Sequence, residues 1–169
     1  VNALKDLGAD ISYEAKVGYP PIRIKGKNSI KEKVQINGNV SSQYISSLLL
    51  ISSKLENGLE IELVGKITSI PYINMTLSLL NQLAIETSFE GNILKVFPKE
   101  AIQKQTVVVE SDWSSASYFY SIIASAAIGS SIKLSAYKEE SLQGDSCLAE
   151  IYTHFGVATT FGKDCIILK

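Results

Sequence analysis

The feature that most restricts the architecture of this chain is that it repeats itself. Val34-Gln35-Ile36-Asn37-Gly38-Asn39-Val40-Ser41-Ser42-Gln43-Tyr44-Ile45 lies over Val107-Val108-Val109-Glu110-Ser111-Asp112-Trp113-Ser114-Ser115-Ala116-Ser117-Tyr118, at an offset of about 73 residues that holds along the match. Each stretch reads as a short apolar strand, a turn, a serine pair and a long apolar helix, which runs on to a glycine (Gly58, Gly129) and another strand. A second pattern occurs three times, beginning near residues 3, 79 and 148: a helix end, a small residue where the helix stops (Gly8, Ala84, Gly156), then two strands. Glycine suits that stop because it tolerates the left-handed conformation. Ala84 fits it less well, so that turn is expected to differ in detail. The unit is therefore strand–helix–strand–helix–strand–strand. The chain holds two near-complete copies, preceded by the tail of a third.

The periodicities agree with this reading. Tyr44, Ile45, Leu48, Leu49 and Ile51 follow helical spacing, as do Phe119, Ile122, Ile123, Ala126 and Ala127. Residues 93–97 and 165–168 are β-branched runs of strand type. Helices alternating with strands imply layered α/β packing. The polar stretch 98–106 reads as the boundary between domains, and the lysine-rich stretch 25–33 as a solvated connector.

Bulk properties exclude several classes. With 46% apolar and 20% charged residues the chain has the balance of a folded globular protein. A net charge of −1 gives no electrostatic case for nucleic acid or an anionic membrane. No apolar run approaches the roughly 20 residues of a membrane span, and no signal peptide opens the chain. Cys147 and Cys165 fit neither a metal site nor a disulfide framework, which favours a reducing compartment. The chain begins at Val1, within what reads as a helix, and is expected to be part of something longer.

Three places could carry chemistry. Ser41-Ser42-Gln43 lies between a strand and a helix start, where unpaired N–H groups and the helix dipole favour an anion such as phosphate. Serine also caps helices without binding anything, and Ser114-Ser115 occupies the matching place in the next unit, leaving Gln43 against Ala116 as the difference. Thr68-Ser69-Ile70-Pro71-Tyr72 precedes another helix, with Pro71 in its first turn; Ser69 reads as a cap and Tyr72 as packed or outward. Glu110-Ser111-Asp112 is a carboxylate pair at a strand end, fit for acid–base work or, in the case of Asp112, for capping. Asp145 reads as a further cap, and His154, on a short amphipathic helix with no obvious partner, as surface or packed rather than catalytic. No metal spacing, Gly-rich nucleotide loop or nucleophile elbow is present.

Taken together, five motifs resemble the 5-enolpyruvylshikimate-3-phosphate synthase family. They are Gly18-Tyr19-Pro20-Pro21-Ile22-Arg23-Ile24, Val40-Ser41-Ser42-Gln43-Tyr44, Ser69-Ile70-Pro71-Tyr72-Ile73, the stretch from Val109 to Tyr118, and Ser141-Leu142-Gln143-Gly144-Asp145. The resemblance implies an α/β (α+β) fold of repeated βαβαββ units, the inverse α/β prism of enolpyruvyl transferases. Residues 1–108 would end the first globular domain (partial unit 1–31, full unit 32–98, linker 98–106), and 109–169 would be the first unit of the second. The implied reaction moves enolpyruvyl from phosphoenolpyruvate to the 5-hydroxyl of shikimate 3-phosphate, in the cytoplasm, in a monomeric full-length enzyme without cofactor or metal. Ser41, Ser42 and Ser69 would hold the 3-phosphate. Gln43 would contact the substrate near phosphoenolpyruvate, Tyr72 would line the shikimate ring, and Glu110 and Asp112 would sit at the crossover between domains. The family's proton-transfer residues lie outside this chain, so no catalytic residue is expected within it. Ile70 stands where the family has lysine, and Ser111 and Trp113 replace small residues. The alternatives are a relative of the UDP-N-acetylglucosamine enolpyruvyl transferase, a non-catalytic repeat module, and an RNA-terminal phosphate cyclase relative, which the net charge opposes.

Overall fold

The computed structural model describes residues 1–26 and 30–169, which form two compact units, Val1–Gln103 and Lys104–Lys169. The division falls within the polar 98–106 stretch. Residues 27–29, the centre of the lysine-rich connector, lie outside the described residues. Its flanks are not loop: Lys25 ends one strand, Lys33 begins the next, and each pairs with a carboxylate, Asp10 and Glu60.

The first unit opens with a short helix α1 (Asn2–Asp6) and an antiparallel pair, β1 (Asp10–Tyr13) and β2 (Ile22–Lys25). A complete copy follows: β3 (Lys33–Asn37), α2 (Ser42–Ser52), β4 (Leu59–Val64), α3 (Ile70–Gln82), β5 (Thr87–Glu90) and β6 (Ile93–Val96). The sheet order is β3-β4-β6-β5; β3 and β4 are parallel and the other pairs antiparallel. Alternation along β4 sends Leu59, Ile61 and Leu63 into the core, beside Ile45, Leu48 and Leu49 of α2 and Ile73, Leu77 and Leu80 of α3. The residues between face the other way, where Glu60 is held by Lys33 and Lys95 across the sheet, each at 3.0 Å. Tyr44 and Ile51, expected in the core, are exposed because the buried stripe of α2 is centred on Ile45, Leu48 and Leu49.

The second unit repeats the pattern with α4 (Trp113–Ala124), β7 (Ile132–Ser135), a short helix α5 (Leu148–Ile151) flanked by 3-10 turns, β8 (Thr159–Gly162) and β9 (Cys165–Leu168). Its sheet order β7-β9-β8 mirrors β4-β6-β5 in register: Thr87 pairs with Val96 as Thr159 does with Leu168. The core faces Trp113, Ala116, Tyr120 and Ile123 inward, leaving Phe119 and Ile122 exposed and Ala126 and Ala127 beyond the helix. The expected first strand at 107–109 does not form. The backbone pairs only beyond it, with Ser111 N–H on Ala136 O at 2.6 Å, and its three valines are exposed.

Two expectations about the repeat are corrected. Ala84 (φ 57°) adopts the same left-handed turn as Gly8 and Gly156, because the ends of all three helices demand it. The offset is not constant: it is 71 residues between the starts of α2 and α4, and 73 between Leu59 and Ile132. Ser41 therefore corresponds to Asp112, and Gln43 to Ser114. The serine pairs are not equivalent.

Candidate functional site

Because β3 and β4 run parallel and each leads into a helix, α2 and α3 start at the same end of the sheet. The two connecting loops are tied together: Gly38 N–H donates to Val64 O (2.8 Å) and Thr68 N–H to Gly38 O (3.2 Å). The approach depends on a missing side chain. A Cβ on Gly38 would stand 3.0 Å from Ile67 Cγ1 and 3.1 Å from Lys66 O. Ser41 and Ser69 are the N-caps of α2 and α3, Ser42 and Gln43 lie in the first turn of α2, and Tyr72 lies in the first turn of α3, with Pro71 beside it. The five residues singled out from sequence for substrate contact are thus carried by two neighbouring helix starts.

Neither helix start is capped by its own serine side chain, Ser41 or Ser69, and neither helix has an acidic residue in its first turn. Each cap carbonyl accepts a backbone N–H from its own helix, Tyr44 N–H on Ser41 O at 3.0 Å and Ile73 N–H on Ser69 O at 3.2 Å. Hydroxyls, the Gln43 amide, first-turn N–H groups and two aligned dipoles make a donor-rich end suited to an anion. Ser41 and Gln43 are exposed, Ser42 and Ser69 half-buried, and Tyr72 is 39% exposed. Lys66, on the same loop as Ser69, is exposed and makes no ion pair among the described residues.

The start of α4 supplies the contrast, and it is closed by its own side chains. Asp112 is the N-cap: Oδ1 accepts Ser114 N–H (2.9 Å) and Oδ2 accepts the Ser115 hydroxyl (2.9 Å). Those two bonds, the Ser115 hydroxyl foremost, hold the Asp112 carboxyl below the usual range. The Ser114 hydroxyl donates to Asp145. Asp145 is therefore not the helix cap that its position suggested, for it lies inside a 3-10 turn whose cap is Gln143.

Gln143 is the residue that sequence reasoning passed over. Its Oε1 accepts Trp113 N–H (2.9 Å), and its Nε2 donates to Ser111 O (2.9 Å) and Glu110 Oε1 (3.1 Å). The Ser141 hydroxyl donates to the same Glu110 oxygen at 2.5 Å and accepts Gln143 N–H at 3.1 Å. Glu110 and Asp112 thus organise the entry into α4. No sequence signal marked Gln143 beyond its place in the 141–145 motif, since its partners lie about 30 residues away. Among the described residues, no group of three or more His, Cys, Asp or Glu side chains is arranged to hold a metal. His154 is exposed, and Cys147 and Cys165 are free thiols.

A parallel βα pair closed by an antiparallel hairpin, with its helix and hairpin recurring in the second unit and two neighbouring helix starts at one sheet end, defines a repeated α+β protein. Comparison with known proteins agrees. The family model for EPSP synthase (3-phosphoshikimate 1-carboxyvinyltransferase) matches residues 1–168. The chain belongs to the EPSP synthase family. It is 42% identical over 169 residues to the 3-phosphoshikimate 1-carboxyvinyltransferase of Bacteroides fragilis (strain YCH46), matching 100% of this chain and 41% of that protein. The enzyme of the same name from Histophilus somni (strain 2336) is 37% identical, over 98% of this chain and 38% of the relative. EPSP synthase from Acinetobacter baumannii shares the fold with a TM-score of 0.66 at 20% identity, over 99% of this chain and 37% of that structure. The chain spans about two fifths of the length of the curated relatives it matches.

Proposed function

We propose that this chain is the substrate-holding part of a 3-phosphoshikimate 1-carboxyvinyltransferase, binding shikimate 3-phosphate at the paired starts of α2 and α3. The full-length enzyme works in the cytoplasm as a monomer. The 5-hydroxyl oxygen of shikimate 3-phosphate gives up its proton and adds to C2 of phosphoenolpyruvate while C3 gains a proton. The tetrahedral adduct then loses phosphate and a methyl proton to restore the enol ether. The groups that move those protons lie outside this chain, and the 169-residue chain by itself has no turnover.

The observation that supports this reading is the contrast between helix starts. At the starts of α2 and α3 the cap serines make no side-chain cap hydrogen bond among the described residues, whereas that of α4 is filled by Asp112 and Gln143. Ser41, Ser42 and Ser69 hold the 3-phosphate, Gln43 contacts the substrate near phosphoenolpyruvate, and Tyr72 borders the shikimate ring. Lys66 supplies the positive charge that Ile70 does not. Glu110 and Asp112 stand at the crossover between the domains.

The test is calorimetric titration of shikimate 3-phosphate into the full-length enzyme and into its Ser41→Ala/Ser42→Ala/Gln43→Ala and Lys66→Ala variants. Hydrogen bonds to a charged group contribute about 1.5–3 kcal/mol each, so the triple variant should weaken binding at least about a hundredfold. Lys66→Ala, at an exposed site, should cost about two- to fivefold and lose its effect in high salt. Unchanged affinity in the triple variant would overturn the assignment.

A further inference from the structure

Thr76 is a polar residue in an apolar place. It is only 5% exposed and sits where α2 packs on α3. Its Oγ1 donates to Tyr72 O, one turn earlier, at 3.0 Å. The same oxygen lies 2.8 Å from Ser46 Oγ on the facing helix. Because the single Thr76 proton goes to Tyr72 O, the Ser46 hydroxyl is the donor of the second bond. The result is a directed relay from α2 to α3: Ser46 O–H to Thr76 Oγ1, and Thr76 O–H to Tyr72 O.

Its position in the two helices matters. Residues four apart share one face of an α-helix. Ser46 therefore lies one turn beyond Ser42 on the same face, and Thr76 one turn beyond Tyr72. The face on which the helices touch at Ser46 and Thr76 is the face on which Ser42 and Tyr72 stand, one turn nearer the helix starts. Packing alone would be served by valine or alanine at these positions. Apolar contacts tolerate sliding, whereas a hydrogen bond of 2.8 Å between helices holds one spacing and one register.

We propose that the Ser46–Thr76 hydroxyl pair is a positioning device for the anion site. It sets the separation of the starts of α2 and α3, so that Ser41 and Ser42 on one and Ser69 and Tyr72 on the other converge on a single ligand. Neither hydroxyl touches that ligand, and both act through Ser42 and Tyr72. This inference rests on the substrate assignment above and adds the residues that bring its two halves into register.

The test uses the full-length enzyme with Thr76→Val, Thr76→Ser and Ser46→Ala, singly and as the Thr76→Val/Ser46→Ala pair. Thr76→Val keeps the shape and removes the hydroxyl; Thr76→Ser keeps the hydroxyl and removes a methyl. Dissociation constant and KM for shikimate 3-phosphate, kcat and Tm are read for each. Thr76→Val and Ser46→Ala should each raise both constants about tenfold while kcat at saturation stays within about twofold. The pair should be no worse than either alone. Thr76→Ser should bind like the parent although its Tm falls, separating register from stability. Binding that follows Tm instead, or an affinity within twofold of the parent in Thr76→Val, would overturn the proposal. If Ser41→Ala/Ser42→Ala/Gln43→Ala abolishes binding while Thr76→Val does not, only the relay falls. If the triple variant binds normally, the site and the relay fall together.

Discussion

Gly58 and Gly129 occupy the same point of the repeat, 71 residues apart, where α2 and α4 give way to the next strand. Both have positive φ, +71° and +95°. Alanine at either must enter the left-handed region, which costs about 1–2 kcal/mol for an L-residue. It recovers about 0.4–1 kcal/mol by restricting the unfolded chain. The sites differ in what a methyl would meet. At Gly129 nothing lies within 4 Å, whereas at Gly58 the new Cβ would stand 2.1 Å from Val96 O, on the residue that pairs with Leu59 in the β4–β6 ladder. Relieving that clash displaces the strand or the helix end, and overpacking of this kind adds about 1–3 kcal/mol or more. Gly129→Ala should therefore cost about 1 kcal/mol and Gly58→Ala about 2–4 kcal/mol, a large part of the ~5–15 kcal/mol available to a domain. Urea unfolding of the chain separates the two. Far-UV circular dichroism follows both units, and fluorescence of the single tryptophan, the fully buried Trp113, follows the second. Gly58→Ala should lower the midpoint of the transition that Trp113 does not report. Equal losses at the two glycines would refute the steric argument and leave φ alone as the cause.

Two more expectations concern the entry to α4. Gln143→Ala removes three hydrogen bonds and strands Trp113 N–H, so the fluorescence-detected transition should lose about 2–3 kcal/mol, more than Gln143→Glu loses at acid pH, where the carboxyl is protonated. Equal stability of parent and Gln143→Ala by this probe would show that the network is ornamental. The Asp112 carboxyl titrates below its unfolded value of about 4 because the Ser115 hydroxyl and Ser114 N–H bond its charged form. Its contribution is therefore complete above pH 4 and lost as pH falls through the lower folded value. Midpoints measured from pH 6 down to pH 2.5 should fall less steeply in Asp112→Asn, and an unaltered profile would exclude Asp112 as the source.

Much of this protein was legible in the chain because its signals are local or periodic. The order strand–helix–strand–helix–strand–strand follows from apolar spacing, the stops at Gly8 and Gly156 from a backbone that only certain residues tolerate, and the starts of α2 and α3 from serine and proline chemistry. Ser41, Ser42, Gln43, Ser69 and Tyr72 each stand where a helix begins, but spacing marked them as caps at least as readily as ligands; their substrate roles came from the resemblance to the EPSP synthase family. What the sequence alone could not decide was which helix starts are capped by side chains. Laying Ser41-Ser42 over Ser114-Ser115 made the two pairs look equivalent. The folded chain shifts the helix starts by two residues relative to that match and brings Gln143 and Asp145, about 30 residues distant, onto α4. The missing strand at 107–109, the hydroxyl relay between Ser46 and Thr76 and the close approach at Gly38 have the same origin. Each depends on which groups meet across the fold. Residue types and their spacing determine how each segment folds; only packing decides which donors are spent within the protein and which are left to hold a ligand.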